Sequence, residues 1–166
     1  NAVNKAVTNG TRPNWSAKLV HVSGFCETGS PAIQSIMHNA DIITIQRNIF
    51  SEPVFDAIQY WRGLGKTVIA DLDDAYNLLG ITNPAYTFWK DNINQLDPPP
   101  LAQLERGLAM CDGLTAPNRL LLQDWQHVVR GYYLPNFACN EDWDNLKSRA
   151  EMKAQYGFQD RIVIGW

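Results

Sequence analysis

Six short runs of β-branched and other apolar residues, at 19–22, 42–45, 67–70, 113–116, a weaker 131–134 and 162–164, do most to constrain this chain. Each is near-continuously apolar rather than alternating, the pattern of strands covered on both faces. Helical spacing fills the intervals. Ser51, Glu52 and Pro53 supply a cap and an early-turn proline, Val54, Ile58, Trp61 and Leu64 follow at i, i+4, i+7 and i+10, and Gly65 closes the helix. Leu101, Leu104 and Leu108 form a second stripe behind Pro98, Pro99 and Pro100; Asn118 caps a third helix carrying Leu121, Leu122 and Trp125; Trp143, Leu146 and Ala150 mark a fourth. Strands alternating with helices predict an α/β domain with a mostly parallel sheet, flanking helices and right-handed crossovers.

At 166 residues, 45% apolar and 19% charged, the chain suits one domain with a real core. No apolar run approaches the ~20 residues of a membrane helix, and the amino end lacks the apolar stretch of a signal peptide, which predicts no transmembrane segment and a cytoplasmic location. Cys26, Cys111 and Cys139 are far apart with no CxxC pair, so they read as buried thiols rather than metal ligands. A net charge of −3 with scattered Lys and Arg leaves no footprint for nucleic acid. Residues 75–100 form an irregular insertion whose aromatics Tyr76, Tyr86, Phe88 and Trp89 favour packing over disorder.

Ligands of parallel sheets bind beyond the carboxyl ends of the strands. After the first run come Gly24, Glu27, Thr28, Gly29 and Ser30, a small-residue loop leading into a helix whose free amides could face a phosphate or sugar hydroxyl; an ordinary turn is the alternative. After the second come Gln46, Arg47 and Asn48, where Arg47 either pairs with an acid or meets a ligand. After the third come Asp71, Asp73 and Asp74. Asp71 and Asp73 project to one side of an extended chain, a juxtaposition of like charges that calls for a cation, hydrogen bonds or a functional purpose. Either these carboxylates work in a cleft, or one or two of them cap the next helix or bind Arg47. His21 reads as a core histidine of the first strand, His38 suits the carboxyl end of a helix, and His127 has no evident partner. Trp61 and Trp125 fall in the core by spacing, which leaves Trp89 as the stacking candidate.

Asp71-Leu72-Asp73-Asp74-Ala75 resembles the Asp-x-Asp-x-Thr/Val motif of haloacid dehalogenase-like phosphatases, which use Mg²⁺ between the two acids. Ala75 departs from that motif, two strands precede it, and no later strand carries the family's Ser/Thr, Lys or second acidic pair. A second resemblance covers about residues 18–166. Residues 40–47 (ADIITIQR), 65–74 (GKTVIADLDD), 110–117 (MCDGLTAP) and 133–136 (YLPN) are similar, in order, to the amino-terminal half of group-1 glycosyltransferases of the GT-B fold.

That resemblance implies a polar segment at 1–17, a Rossmann-like acceptor-side domain at 18–135, a linker and bridging helix at 136–160, and at 161–166 the first strand of a second domain. It implies transfer of a sugar from a nucleotide-sugar donor to a carbohydrate, lipid or protein acceptor, with no metal or other cofactor and with retention at the anomeric carbon. Asp71, Asp73 and Asp74 then become the catalytic candidates. Arg47, Asn48, Gln46, Trp89 and Asn118 bind substrate, the loop from Gly24 to Ser30 faces the donor phosphates, and a carboxy-terminal domain of the same chain supplies most donor contacts. A flavodoxin-like, non-catalytic binding domain is the alternative outside enzymes.

Overall fold

The computed structural model describes residues 14–136 and 146–162, and the chain divides into two compact units, Asn1–Pro135 and Asn136–Trp166. The first contains α1 (Val22–Cys26), α2 (Pro31–His38), β1 (Ile42–Gln46), α3 (Glu52–Gly63), β2 (Thr67–Asp71), a 3-10 turn at Tyr76–Leu78, α4 (Tyr86–Trp89), α5 (Pro100–Met110), β3 (Gly113–Ala116), α6 (Arg119–Trp125) and β4 (Gly131–Tyr133). The four strands form one all-parallel sheet in the order β1-β2-β3-β4, the predicted α/β Rossmann-like arrangement.

This monotonic order decides where the core sits. Right-handed crossovers that always step in one direction place α3, α5 and α6 on the same face of the sheet. Burial agrees: Ile43, Ile45, Val68, Ala70, Leu114 and Ala116 are buried on that face, against Val54, Ile58 and Trp61 of α3, Leu104 and Leu108 of α5, and Leu121 and Trp125 of α6. Each of the buried Val, Ile and Leu side chains contributes about 1.5–3 kcal/mol of transfer free energy.

The other face is open, contrary to the expectation of strands covered on both sides. Ile42 is 63% exposed and Tyr132 43%, Thr44 and Thr67 are exposed, and Ile69, Asp71 and Thr115 are half-buried. In runs only four or five residues long, β-branched side chains on an open face satisfy strand geometry as well as those in a core do, so apolar continuity does not report coverage.

Residues 19–22 do not form the expected strand. His21 Nδ1 accepts from the Ser23 amide, 3.3 Å, and the Phe25 amide donates to the His21 carbonyl, 3.0 Å, so the chain turns into α1 and Leu19 stays exposed. His21 is therefore an exposed helix cap rather than a core residue. Trp61, in the core as predicted, ties α1 to α3 by donating from Nε1 to the Phe25 carbonyl, 3.1 Å. After α3, Gly65 at φ 81° lets the Lys66 and Gly65 amides return to the Trp61 and Arg62 carbonyls, 3.1 and 2.9 Å, a Schellman closure. His127 stacks on buried Trp125 and approaches Glu105 at 3.8 Å.

In the second unit, α7 (Arg149–Gln155) begins with a capping box between Ser148 and Glu151. It starts six residues after Trp143, which lies outside the described residues, as do Cys139 and positions 163–166 of the expected last strand; Ile162 is described and forms none. No described helix is long and apolar enough to cross a membrane.

Candidate functional site

Two of the residues singled out at strand ends, Arg47 and Asp73, meet at the carboxyl edge of the sheet. The Arg47 amide continues the β1–β2 ladder by donating to the Asp71 carbonyl, 3.0 Å, and the backbone then leaves the strand with Arg47 itself in the left-handed region, φ 49°. For a residue with a Cβ that conformation is disfavoured by ~1 kcal/mol or more, a kind of strain that concentrates at functional positions. It swings the side chain across the strand ends, where Nη2 donates to Asp73 Oδ2 at 2.5 Å. The other carboxylate oxygen of Asp73, Oδ1, accepts from the Tyr76 hydroxyl at 3.1 Å.

Tyr76 was not among the predicted site residues. It stands three positions after Asp73, at the first residue of the 3-10 turn, and its hydroxyl reaches back to that carboxylate. Burial, and then the negative charge of Asp73, push its phenol up to about 12, so the hydroxyl stays a donor to the carboxylate at any physiological pH.

The acidic cluster is split rather than convergent. Asp71 lies on the open face, where Oδ1 accepts from Thr115 Oγ1 at 2.7 Å, while Asp73 turns toward β1 and Arg47. Between them Leu72 is fully buried, and Asp74 is exposed to solvent. Among the described residues no three His, Cys, Asp or Glu side chains are grouped to hold a metal ion. Thr115 was also missed, although its register opposite Asp71 follows once β2 and β3 are paired.

Gln46 and Asn48 flank Arg47 with exposed amides, and Asn118 stands at the end of β3, where its Oδ1 caps α6 by accepting from the Leu120 amide at 2.8 Å. The segment from Gly24 to Ser30 departs from the expected phosphate loop. No strand precedes it, and the amides of Glu27, Thr28 and Ser30 are spent inside the turn on the carbonyls of Gly24, Cys26 and Glu27, at 2.9–3.0 Å. Gly29 completes that turn, and Glu27 adds an exposed negative charge, which opposes a diphosphate.

Trp89 is no open stacking platform. It is 7% exposed, because the insertion folds back as an aromatic cluster: Trp89 meets Phe50 edge-on at 5.1 Å, Phe88 at 5.1 Å and Tyr76 at 4.4 Å. The predicted packing of the insertion thus consumes the candidate. Its effect on the site is indirect, since it fixes the ring whose hydroxyl holds Asp73.

Both described cysteines are poor nucleophiles. Burial raises the Cys26 thiol, and burial, helped by Asp112, pushes Cys111 up to about 12. Neither a family model, nor a curated protein, nor a solved structure matches this chain.

Proposed function

We propose that this chain forms the acceptor-side domain of a cytoplasmic GT-B glycosyltransferase, which moves a sugar from a nucleotide-sugar donor to an acceptor hydroxyl. The observation that carries the proposal is the Arg47–Asp73–Tyr76 cluster at the carboxyl edge of an all-parallel sheet. The first three similar segments also contain β1, β2 and β3 in order, and the fourth begins at Tyr133, the last residue of β4.

The chemistry follows from the valences left over. Among the described residues each oxygen of Asp73 has one partner, and each keeps a lone pair for an acceptor hydroxyl. Asp74 supplies a second exposed carboxylate, and Gln46 and Asn48 supply amides of both polarities. Arg47 spends one of its five N–H donors on Asp73, leaving positive charge where a leaving diphosphate needs it. Asp73, held on two sides, orients the acceptor and takes up its proton as the sugar bond forms. The donor's sugar and base contacts belong to a companion domain.

The phosphatase alternative requires Asp71 and Asp73 to converge on one ligand. They are bonded in opposite directions, which favours the transferase. The test is turnover and calorimetric binding of UDP-, GDP- and ADP-sugars by the intact protein, with and without Mg²⁺. Metal-independent donor consumption that falls about 100-fold or more in a folded Asp73→Asn variant is the expected result. Mg²⁺-dependent hydrolysis of p-nitrophenyl phosphate, abolished by Asp71→Asn, would establish the phosphatase instead. Neither activity, with ligand binding retained, would point to a flavodoxin-like binding domain.

A further inference from the structure

A cavity of about 410 Å³ opens between α1 and the start of α3, lined on its apolar side by Val22, Phe50, Pro53 and Val54. Its volume lies in the range of small-molecule clefts and accommodates on the order of a dozen heavy atoms at ~30 Å³ each, too few for a helix of another protein. Cys26 also lines it and remains a neutral thiol. The polar lining comes from Ser23, Ser51 and Asn48, and Asn48 directly follows Arg47.

The apolar wall and the polar cluster belong to one packed unit. Phe50, part of the cavity lining, meets Trp89 at 5.1 Å and Phe88 at 5.8 Å; Trp89 lies 4.4 Å from Tyr76, whose hydroxyl holds Asp73. Asn48 of the lining is joined directly to Arg47, the partner of Asp73, so the cavity and the polar cluster are neighbours where the chain leaves β1.

We infer that this cavity binds the apolar portion of the acceptor, which makes the acceptor an amphiphile: one alkyl or aryl group joined to a hydroxylated head. The inference rests on the transferase proposal for the role of the head, and on the cavity for the tail.

The probes are n-octyl, phenyl and methyl β-glucosides, titrated into the intact protein below micellar concentrations and followed by calorimetry and by tryptophan fluorescence. Octyl or phenyl glucoside should bind at least about 10-fold more tightly than methyl glucoside, since each buried CH₂ adds roughly 0.8 kcal/mol. A preference for octyl identifies a lipid-like tail, and a preference for phenyl an aromatic aglycone. Val22→Asn should remove the preference and leave methyl glucoside binding as it was. Pro53→Glu, at an exposed helix-start position that tolerates an acid, gives the same readout should Val22→Asn fail to fold.

Equal affinity for the three glucosides, or a preference untouched by both substitutions, overturns the cavity assignment. Nucleotide-sugar consumption separates the two proposals. If the intact protein consumes donor and the tail makes no difference, the amphiphile inference falls and the transferase stands. If the octyl glucoside binds in the cavity and no donor is consumed in its presence, the acceptor assignment is overturned together with the transferase.

Discussion

Two Arg–Asp pairs lie at opposite ends of the same sheet with almost the same exposure, 48% and 31% for Arg47–Asp73, 42% and 31% for Arg62–Asp112. Their remaining bonds differ. At the amino edge, Arg62 also donates to the Met110 carbonyl at 2.7 Å, and Asp112 Oδ2 accepts from the Val68 amide at 2.8 Å, so one pair clamps the ends of α3 and α5 to the starts of β2 and β3. At the carboxyl edge, among the described residues, Arg47 and Asp73 make their side-chain bonds only to each other and to Tyr76. Exposure does not distinguish the two pairs; what each partner has left to bind does, and the proposed function rests on that difference.

The comparison breaks first where packing, rather than charge, supports the carboxyl edge. Gly107 of α5 passes so close under the β1–α3 loop that an added Cβ would lie 1.8 Å from the Ile49 carbonyl oxygen and 3.1 Å from the Phe55 ring. Gly107→Ala should destabilise the protein by about 3 kcal/mol, the upper end for overpacking, because the obstacle is backbone. It should also disturb the Arg47 cluster; chemical denaturation with ligand titration of the surviving fold measures both.

Asp112→Ala comes next. It removes a charge-assisted bond to the Val68 amide and the anchor of Arg62, and should lower stability by about 2 kcal/mol, or a melting temperature by roughly 6 °C at ~3 °C per kcal/mol. Ligand binding should remain. Loss of binding with little loss of stability would reverse the roles assigned to the two edges.

Arg47→Gly probes the opposite case. It breaks an exposed pair worth about 0–1 kcal/mol and relieves a left-handed backbone that glycine adopts freely, so stability should hold or rise by up to ~1 kcal/mol. Donor turnover should fall at least about 10-fold. A variant both less stable and fully active would show the αL turn to be structural only.

The sequence announced β1 to β4 and the helices α3, α5 and α6 that pack on them; the strand expected at 162–164 is not formed at Ile162 and otherwise lies outside the described residues. The sequence also placed Arg47 and the acids at strand ends, because strand order and the carboxyl-edge rule need only local patterns. Three things were not legible. The run at 19–22 is too short to separate strand from helix, and a local His21 cap decides it. The open face was hidden because β-branched residues suit a strand whether covered or not. The burial of Trp89 depends on Phe50 and Tyr76, respectively 39 and 13 positions away in sequence, a long-range packing event that no local window contains.

Each edge also carries a buried neutral acid next to its ion pair, which allows the two to be compared by pH alone. Cys111 adjoins Asp112, and Tyr76 adjoins Asp73; burial raises both to about 12 from ordinary values of 9.0 and 10.0. A folded-state value above the unfolded one favours the protonated, folded form. Its contribution is complete below the unfolded value and disappears as pH climbs through the folded value. Stability should therefore begin to fall above pH 9.0 through Cys111 and continue from pH 10.0 to about 12 through both groups. Denaturant midpoints measured at half-unit steps should show Cys111→Ala flattening the decline between 9.0 and 10.0, and Tyr76→Phe leaving that interval alone while making the decline above 10.0 shallower. If Tyr76→Phe changes nothing above pH 10.0, the phenol is not raised by its burial beside Asp73, and the carboxyl edge loses the buried neutral acid that pairs it with the amino edge.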